Sequence, residues 1–503
     1  MQVMKNVTQF IAGMALIFQI ACTRVHHAPP EQYVNNFLEV NNRVKEIIRD
    51  QVSEFQTDSL WILKTDTLLT ATWIAEFFMQ NQYTPVWTDK NHLNENADSL
   101  ISIASSLRFY GLDPEWYRVD SIKAIADQIS NTPETNYNIT RVYEINILLT
   151  DLFFRIASSL QHGVINEKTL SKEWKIDKTD TTMVALIEFA SRTNNIRRAF
   201  ESAEPVSRQY TGLKKFLSRY LQAEPAPRDS ENDDIFKDSI RSCIEALMIN
   251  MERCRWERDS GLDYLVVINI PSNDLEYYSC GDLALKSRVI TGKQETPTPF
   301  NLNSEIKSFY VYPYWIVPFS IATKEILPKV KKDPAYLLAN NMDLFDRNGK
   351  LINPDSVNWD KYSINYFPFT IRQRDGDENT LGVLKFIFAN NYGIYLHDTN
   401  SKQLFNKEDR NLSHGCIRLE RAMELSNEIS KCCSFNFNSD SISKYIRSKT
   451  RKLFSFYKPL PIHIRYNTVK TDGDLIYFYK DVYGLDEKIM QLFKTRYSAT
   501  ASR

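Results

Sequence analysis

The sequence predicts an α+β fold, with a helical N-terminal half followed by a mostly antiparallel, β-rich half. In the first half, apolar residues recur every three or four positions, which is the period of one helix face. The clearest such face is made by Val142, Ile145, Leu149, Leu152, Ile156 and Leu160. From about residue 262 onward, short β-rich runs such as DYLVVINI replace this period, and turn residues separate them. The length of 503 residues and the 43% hydrophobic content predict several packed domains.

The predicted elements divide the chain into five segments. A signal at 1–22 is followed by a helical scaffold domain at 34–222 and by a linker with a connecting helix at 223–261. The linker is predicted from the Pro-rich, polar run AEPAPRDSENDD. A β-rich domain is expected at 262–484, with an insertion at 320–380 that is either a lid or a surface elaboration, and a tail at 485–503. Asp472-Gly473 predicts a hairpin turn near the end of the domain.

The first 22 residues resemble an export signal. Lys5 precedes an apolar run from Phe10 to Ala21, which is shorter than the roughly twenty residues needed to span a bilayer. The run ends at Cys22, and small residues followed by cysteine resemble a bacterial lipoprotein processing site. Cys22 is therefore the predicted lipidation site, with an ordinary cleaved signal or an uncleaved anchor as alternatives. Each version places the rest of the chain outside the cytoplasm.

Composition excludes several function classes. Lys+Arg and Asp+Glu are both 62, so the chain lacks the basic excess typical of nucleic-acid binding. Only 14 glycines are present, without a Walker or Rossmann pattern, so we expect no nucleotide cofactor. Of the seven cysteines, removing Cys22 and Cys416 leaves five, which is an odd number and not a disulfide framework.

The segment YLHDTNSKQLFNKEDRNLSHGCIRL holds the candidate site, and three interpretations compete. His397, His414 and Cys416 are possible zinc ligands, with Asp398 as a fourth ligand or an outer partner, but their spacing is unusual and HExxH is absent. Cys416 is alternatively a packed structural cysteine. In the third interpretation, Cys416 is a nucleophile.

A nucleophilic Cys416 requires a nearby histidine, because only a few per cent of a free thiol is ionised at neutral pH. The histidine acts as a general base or forms a thiolate–imidazolium pair. His414 shares a face with Cys416 if the segment is extended, and His397 ends the preceding strand. Backbone N–H groups of Gly415 and Cys416 are candidate oxyanion donors. Arg418 offers a positive charge for a substrate carboxylate.

SHGCIRL with the upstream HDT resembles the catalytic motif of L,D-transpeptidases, the YkuD-type cell-wall enzymes. Further blocks, among them INMERCRWERDSGLDYLVVINIP and NTLGVLKFIFANNYGIYLHDT, are similar to the long, YcbB-like subfamily. YTPVWTD and GLDPEWY resemble its N-terminal scaffold domain. The resemblance spans about 70–490. A peptidoglycan-binding module usual in long members is missing or reduced here, which leaves glycan binding open.

The resemblance implies that Cys416 attacks the diaminopimelate carbonyl of a tetrapeptide stem and expels D-alanine, after which an amine of a second stem gives a 3→3 cross-link. His397 would activate the thiol. The other implied site residues are Ser413, His414, Gly415, Arg418 and Asp398 as motif support, and Tyr395 and Arg410 as substrate-binding residues. It also implies a carbapenem target that needs no metal or cofactor, and that 320–380 is a capping subdomain.

Together with the export signal, the resemblance implies a monomeric, membrane-associated periplasmic protein of a Gram-negative bacterium. Its partners would be peptidoglycan stem peptides. Release of the acyl-enzyme by water would instead make the protein an L,D-carboxypeptidase. The alternative from a different class is a non-catalytic, wall-binding lipoprotein on a decayed enzyme scaffold.

Overall fold

A computed structural model describes residues 31–501, apart from 59–60, 64–65, 90–91, 132–136, 167–179, 225–233, 258–261 and 432–436. The predicted signal, Cys22, Cys432 and Cys433 lie outside these described residues. The chain forms two compact units, one from 1–256 with 488–503 and one from 257–487. The first is helical and the second is rich in strands, which confirms the predicted α+β class. Among the described helices, none combines the length and apolarity that a bilayer crossing requires.

The first unit is built from helices around a central one. The helices are Phe37–Asp58, Ala71–Gln80, Glu95–Ser105, Val119–Ser130, Ile139–His162, Thr182–Thr193, Ile196–Ala203, Arg208–Ala223, Asp234–Trp256 and Leu485–Ala501. Two-residue strands pair as Tyr33–Val34 with Tyr137–Asn138, Ile62–Leu63 with Asp66–Thr67, and Thr88–Asp89 with His92–Leu93.

Helix Ile139–His162 is central because its side chains are buried on almost every face, so its neighbours surround it. The face predicted from the sequence is fully buried. The helix begins where the Asn138 side chain accepts a hydrogen bond from the Arg141 N–H, and it ends at Gly163, whose φ is 82°. Buried Asn146 accepts from the N–H groups of Val86 and Trp87, so its amide is satisfied within the core.

Helix Leu485–Ala501 belongs to the first unit although it follows the second in sequence. Ile489 and Phe493 are buried in the first unit's core, and the Phe493 ring centroid lies 5.0 Å from that of Trp116. The segment predicted only as a tail is therefore a structural part of the helical unit.

The second unit is built mainly from strands. In chain order they are β1 (Tyr264–Asn269), β2 (Asp274–Ser279), β3 (Asp282–Gly292), β4 (Leu302–Val311), β5 (Trp315–Ile316), β6 (Met342–Phe345), β7 (Leu351–Ile352), β8 (Thr370–Gln373), β9 (Leu384–Phe388), β10 (Leu396–His397), β11 (Asn411–Ser413), β12 (Ile417–Leu419), β13 (Lys452–Arg465), β14 (Val469–Asp472) and β15 (Leu475–Phe478). Strands β14 and β15 form the predicted hairpin, with Asp472 opposite Leu475.

The main sheet has the order β11-β3-β12-β10-β9-β4-β13-β1-β2, and β2 also pairs with β3. The last pairing closes a ring of strands around an apolar core. Most neighbours are antiparallel, but β10 runs parallel to β12, β11 to β3 and β13 to β1. Helices Ala422–Ser430 and Ser439–Arg447 follow β12, and Leu425, Ile429 and Ile442 bury their side chains in the same core.

The insertion between β4 and β9 forms its own small sheet, in the order β5-β8-β6-β7. It has its own core, which includes Val330, Leu337 and Leu344. Short helices Phe319–Ile321, Leu327–Lys332 and Ala335–Ala339 accompany it, and a π-helical turn at Ala322–Ile326 joins the first two. Pro328 gives a reason for this turn, because proline has no N–H and clashes with the carbonyl four residues earlier.

Candidate active site

Five side chains of the candidate site share one face of the main sheet. Lys385 on β9 is the register partner of His397 on β10, and His397 is the partner of Arg418 on β12. Tyr395 and Cys416 each stand two residues earlier on the same backbones, and residues two apart point to the same face. The Ile417 N–H donates to the Tyr395 carbonyl at 3.1 Å, which extends the pairing to this level. We call these five residues the Cys416 cluster.

Contacts within the cluster are direct. Tyr395 and Cys416 lie close enough that each shifts the pKa of the other, and the Tyr395 and His397 ring centroids are 5.5 Å apart. Lys385 Nζ lies 3.7 Å from the Tyr395 ring centroid. Lys385 was not among the site residues predicted from the sequence. Its only signal was a lone lysine in the apolar run GVLKFIF, at the polar phase of a strand whose Leu384 and Phe386 are buried.

The turn before Cys416 is held from both sides. Ser413 Oγ donates to the Cys416 carbonyl at 2.6 Å and accepts from the Gly415 N–H at 3.1 Å. Thr298 Oγ1 donates to the Gly415 carbonyl at 2.8 Å. Gly415 has φ of 107°, a value that residues with a Cβ avoid. The Gly415 N–H is thus engaged inside the turn, so of the two predicted oxyanion donors the Cys416 N–H remains the candidate.

His397 is buried and its tautomer is set by its partner. Nδ1 hydrogen-bonds the Asp398 backbone carbonyl, and a carbonyl can only accept, so Nδ1 carries the proton. Nε2 is then the unprotonated nitrogen. Burial, together with the positive charges of Arg418 and Lys385, lowers the pKa of His397 to about 3, although the hydrogen bond to the Asp398 carbonyl acts in the opposite direction. His397 is therefore a neutral imidazole at physiological pH.

The carboxylate of Asp398 and its backbone carbonyl have different roles. It accepts from the Val383 N–H at 3.0 Å and from Lys402 Nζ. Both contacts fix the segment that follows His397. The support predicted for Asp398 thus reaches the histidine through the main chain, while the side chain anchors the loop.

Burial raises the pKa of the Cys416 thiol, and hydrogen bonds from Tyr395 with the charges of Lys385 and Arg418 offset part of this effect. Burial likewise raises the pKa of the Tyr395 hydroxyl. A neutral thiol beside a neutral imidazole is therefore the resting state that these surroundings favour. Of the two activation modes left open by the sequence, this favours general base action over a preformed ion pair.

His414 points to the insertion. Its Nε2 lies 2.6 Å from Glu325 Oε1, and both side chains are partly exposed. Glu325 stands on the π-helical turn at Ala322–Ile326. The two histidines of the motif therefore have different partners. His397 hydrogen-bonds the Asp398 carbonyl, whereas His414 pairs with Glu325 of the insertion. Nothing in the sequence pattern singled out Glu325.

A cleft of about 360 Å³ lies where the insertion meets the loops of the main sheet. Its lining includes Glu325 and Tyr336 from the insertion and Asn400 from the loop after β10. Trp315, which also lines the cleft, lies close enough to Tyr395 to lower the pKa of its hydroxyl. The cleft therefore borders Tyr395 of the Cys416 cluster through Trp315, and it borders His414 of the Cys416 loop through Glu325.

Arg410 lies apart from the cluster's contacts. Its guanidinium donates to the carbonyls of Lys407, Ser272 and Asn273, at 3.0, 3.3 and 3.3 Å. In this arrangement it braces the turn between β1 and β2, and its role in substrate binding stays a prediction. In the part of the chain that the structure describes, no three His, Cys, Asp or Glu side chains converge as metal ligands would.

Comparison with known proteins assigns families to both halves of the chain. Residues 72–217 match the family described as Scaffold domain. Residues 263–433, which contain the whole Cys416 cluster, match the family described as L,D-transpeptidase catalytic domain. This part of the chain is an L,D-transpeptidase catalytic domain. The recognition made from SHGCIRL is thereby confirmed, and the L,D-transpeptidase domain includes both β9 and the insertion.

A Haemophilus influenzae protein, provisionally named an L,D-transpeptidase, is 26% identical over 419 residues, or 83% of this chain and 78% of the relative. An L,D-transpeptidase from Mycobacterium smegmatis covers 41% of this chain and 59% of its own, with 15% identity and a TM-score of 0.19. An L,D-transpeptidase solved in complex with imipenem matches over 41% and 59%, with 13% identity and the same TM-score of 0.19. This chain spans somewhat more than half of those two solved chains.

Proposed function

We propose that this protein is a peptidoglycan L,D-transpeptidase that forms 3→3 cross-links through an acyl-enzyme on Cys416. The observation that carries the proposal is the Cys416 cluster. It combines a thiol with a neutral histidine whose Nδ1 is tied to the Asp398 carbonyl. This is the arrangement that covalent acyl transfer requires, a nucleophile with an oriented base.

In the first step, His397 Nε2 accepts the thiol proton while Cys416 Sγ attacks the carbonyl of the third residue of a donor stem. The Cys416 N–H donates to the oxygen that becomes negative. Collapse of this intermediate breaks the bond to the terminal D-alanine. The leaving amine takes the proton from His397, and a thioester on Cys416 remains.

In the second step, the side-chain amine of an acceptor stem attacks the thioester and loses a proton to His397. The thiol leaves and regains that proton, so the enzyme returns to its starting state. Water in place of the amine would release a tripeptide, which is the L,D-carboxypeptidase outcome. The insertion, joined to the Cys416 loop by Glu325 and His414, would cap the site and exclude water.

The proposal includes an envelope location. The apolar run that ends at Cys22 supports export and lipidation of that cysteine. Peptidoglycan stems would then meet the enzyme on the periplasmic side of a membrane. Globomycin, which blocks lipoprotein signal cleavage, should increase the mass of the cellular protein if Cys22 is processed, and Cys22→Ser should show no such response.

The test is the mass of the intact protein after incubation with a carbapenem, followed by incubation with disaccharide-tetrapeptide. We expect a single covalent adduct on the wild type, none on Cys416→Ala, and a dimeric muropeptide as product. Cys280→Ala is the matched control, since Cys280 is exposed and lies outside the cluster. Absence of both adduct and dimer would refute the proposal, and tripeptide alone would assign a carboxypeptidase.

A further inference from the structure

Lys385 is a charged residue of the Cys416 cluster for which the proposed mechanism has no use. It stands on β9 between buried Leu384 and Phe386, and its own side chain is half-buried. Its Nζ lies 3.7 Å from the Tyr395 ring centroid, so the ammonium is held over the ring of another cluster residue. Burial lowers the pKa of Lys385, which shows that its charge is costly to keep there.

Two other lysines of this unit, exposed Lys402 and half-buried Lys470, have carboxylate partners. Lys402 pairs with Asp398, and Lys470 pairs with Asp274 and Glu276. Among the described residues, the charged group that acts on Lys385 is the Cys416 thiolate. The Cys416 thiolate is likewise the charged group that acts on Arg418, and burial also lowers the pKa of Arg418. Two cations therefore face a thiol that is neutral at rest.

Such an arrangement is unfavourable unless an anion joins it. The thiolate is a poor candidate for a permanent partner, because burial raises the pKa of Cys416. A donor stem brings two carboxylates close to the bond that is cleaved. One belongs to the terminal D-alanine and the other to the side chain of the diamino acid.

We propose that Lys385, together with Arg418, forms a carboxylate-binding site that positions the donor stem over Cys416. This inference rests on the proposed function, and it makes Lys385 a specificity-determining residue. A lysine offers a point charge with three rotatable donors, and an arginine offers a planar fork. A carboxylate held by both replaces the missing counter-charge and fixes the scissile carbonyl beside the sulfur.

The test measures binding without turnover. In the Cys416→Ala background, calorimetry compares disaccharide-tetrapeptide with two analogues, one amidated at the D-alanine carboxylate and one amidated at the diamino-acid side-chain carboxylate. We expect one amidation to weaken binding about 10- to 100-fold, as loss of a charged hydrogen bond does. The analogue that binds more weakly identifies the carboxylate that this site recognises. Lys385→Met should remove this penalty, and Lys385→Arg should retain it.

Lys307→Met is the matched control, because Lys307 is an exposed lysine on the neighbouring strand β4. It should leave the amidation penalty unchanged. The inference is overturned if both analogues bind as well as the unmodified stem, if the penalty persists in Lys385→Met, or if the stem does not bind. A penalty that depends on Lys385 in an enzyme that forms no cross-link would refute the proposed function and keep this inference.

A second measurement excludes an effect on the thiol alone. Iodoacetamide has no carboxylate, so its rate of reaction with Cys416 reports the ionisation of the thiol. We expect Lys385→Met to change the pH profile of this alkylation much less than it changes the KM for the donor. If Lys385→Met instead weakened the reaction with charged and amidated donors equally and also shifted the alkylation profile, Lys385 would be a residue that only tunes the thiol pKa.

Discussion

His397 owes its neutral state to its surroundings at the scale of single side chains. The ring is buried, two cations lie on neighbouring strands, and the Asp398 carbonyl holds Nδ1–H. These features keep Nε2 available as a base over a wide pH range. A preformed thiolate–imidazolium pair between Cys416 and His397 would need the opposite surroundings, with an anion beside the imidazole.

The pH dependence of acylation should therefore lack a limb at the ordinary histidine pKa. Because the pKa of His397 is about 3, its base form persists as pH falls through the usual range near 6.5. We expect the rate of carbapenem acylation of Cys416 to stay level between about pH 5 and pH 7. Stopped-flow absorbance of the carbapenem measures this directly.

A loss of rate centred near pH 6.5 would contradict this assignment. His397→Ala should abolish acylation near neutral pH and regain part of it at high pH, where the thiol ionises without help. His414→Ala is the matched comparison, since His414 contacts Glu325 instead. We expect it to keep the level profile, and loss of acylation in this variant alone would move the base role to His414.

At the scale of elements, the sequence predicted the strand that carries His397 and the loop that carries Cys416, because the HDT and SHGC residues mark both. It did not predict Lys385 as part of the site. The register that places Lys385 opposite His397 is set between strands, and local pattern carries no information on it. The sequence also did not predict the short strands of the insertion, such as β6 and β8, because four residues show too little alternation to identify a strand.

The contact between Glu325 and His414 joins the insertion to the Cys416 loop, and its loss should loosen both elements. A partly exposed ion pair contributes only about 0–1 kcal/mol, so Glu325→Ala should leave the melting temperature nearly unchanged. We expect faster amide hydrogen exchange in Phe319–Lys332 and at 411–416, measured by mass spectrometry. Glu428→Ala, which removes an exposed pair with Lys431, should leave these segments unchanged. Equal exchange in wild type and Glu325→Ala would show that the contact does not hold the insertion.

At the scale of the whole molecule, the fold class followed from the change of hydrophobic period near residue 262, which is a strong local signal. The place of helix Leu485–Ala501 did not follow from it. Its apolar residues Ile489 and Phe493 fill a core made by residues several hundred positions earlier. Sequence separation of that size leaves no local trace, so the helix was predicted only as a tail.

The first unit also depends on a buried ion pair. Glu252 accepts from the N–H groups of Val164 and Ile165 at 2.6 and 2.8 Å and pairs with Arg255 at 3.1 Å, with both side chains fully buried. Glu252→Ala should lower the free energy of unfolding by about 3–5 kcal/mol, because it strands a buried cation and two amides. Thermal unfolding followed by circular dichroism measures this.

Asp238→Ala is the control on the same helix. Its pair with Arg241 is exposed, so its removal should change stability by less than about 1 kcal/mol. Glu252→Gln keeps an acceptor for the two amides and loses only the charge. Its free energy of unfolding should therefore lie between those of Glu252→Ala and Asp238→Ala. A melting temperature for Glu252→Ala equal to that of Asp238→Ala would contradict the assigned role.

Because Leu485–Ala501 returns to the first unit, the catalytic unit is nested within the helical one as an inserted domain. Synthesis runs from the N-terminus, so the helical unit lacks its closing segment until the whole catalytic unit has been made. Until then, the groove beside Trp116 that receives Phe493 lacks its occupant. Chaperones and proteases would thus meet the helical unit in an unfinished form, and a frameshift or premature stop after the catalytic unit would damage the domain that was made first.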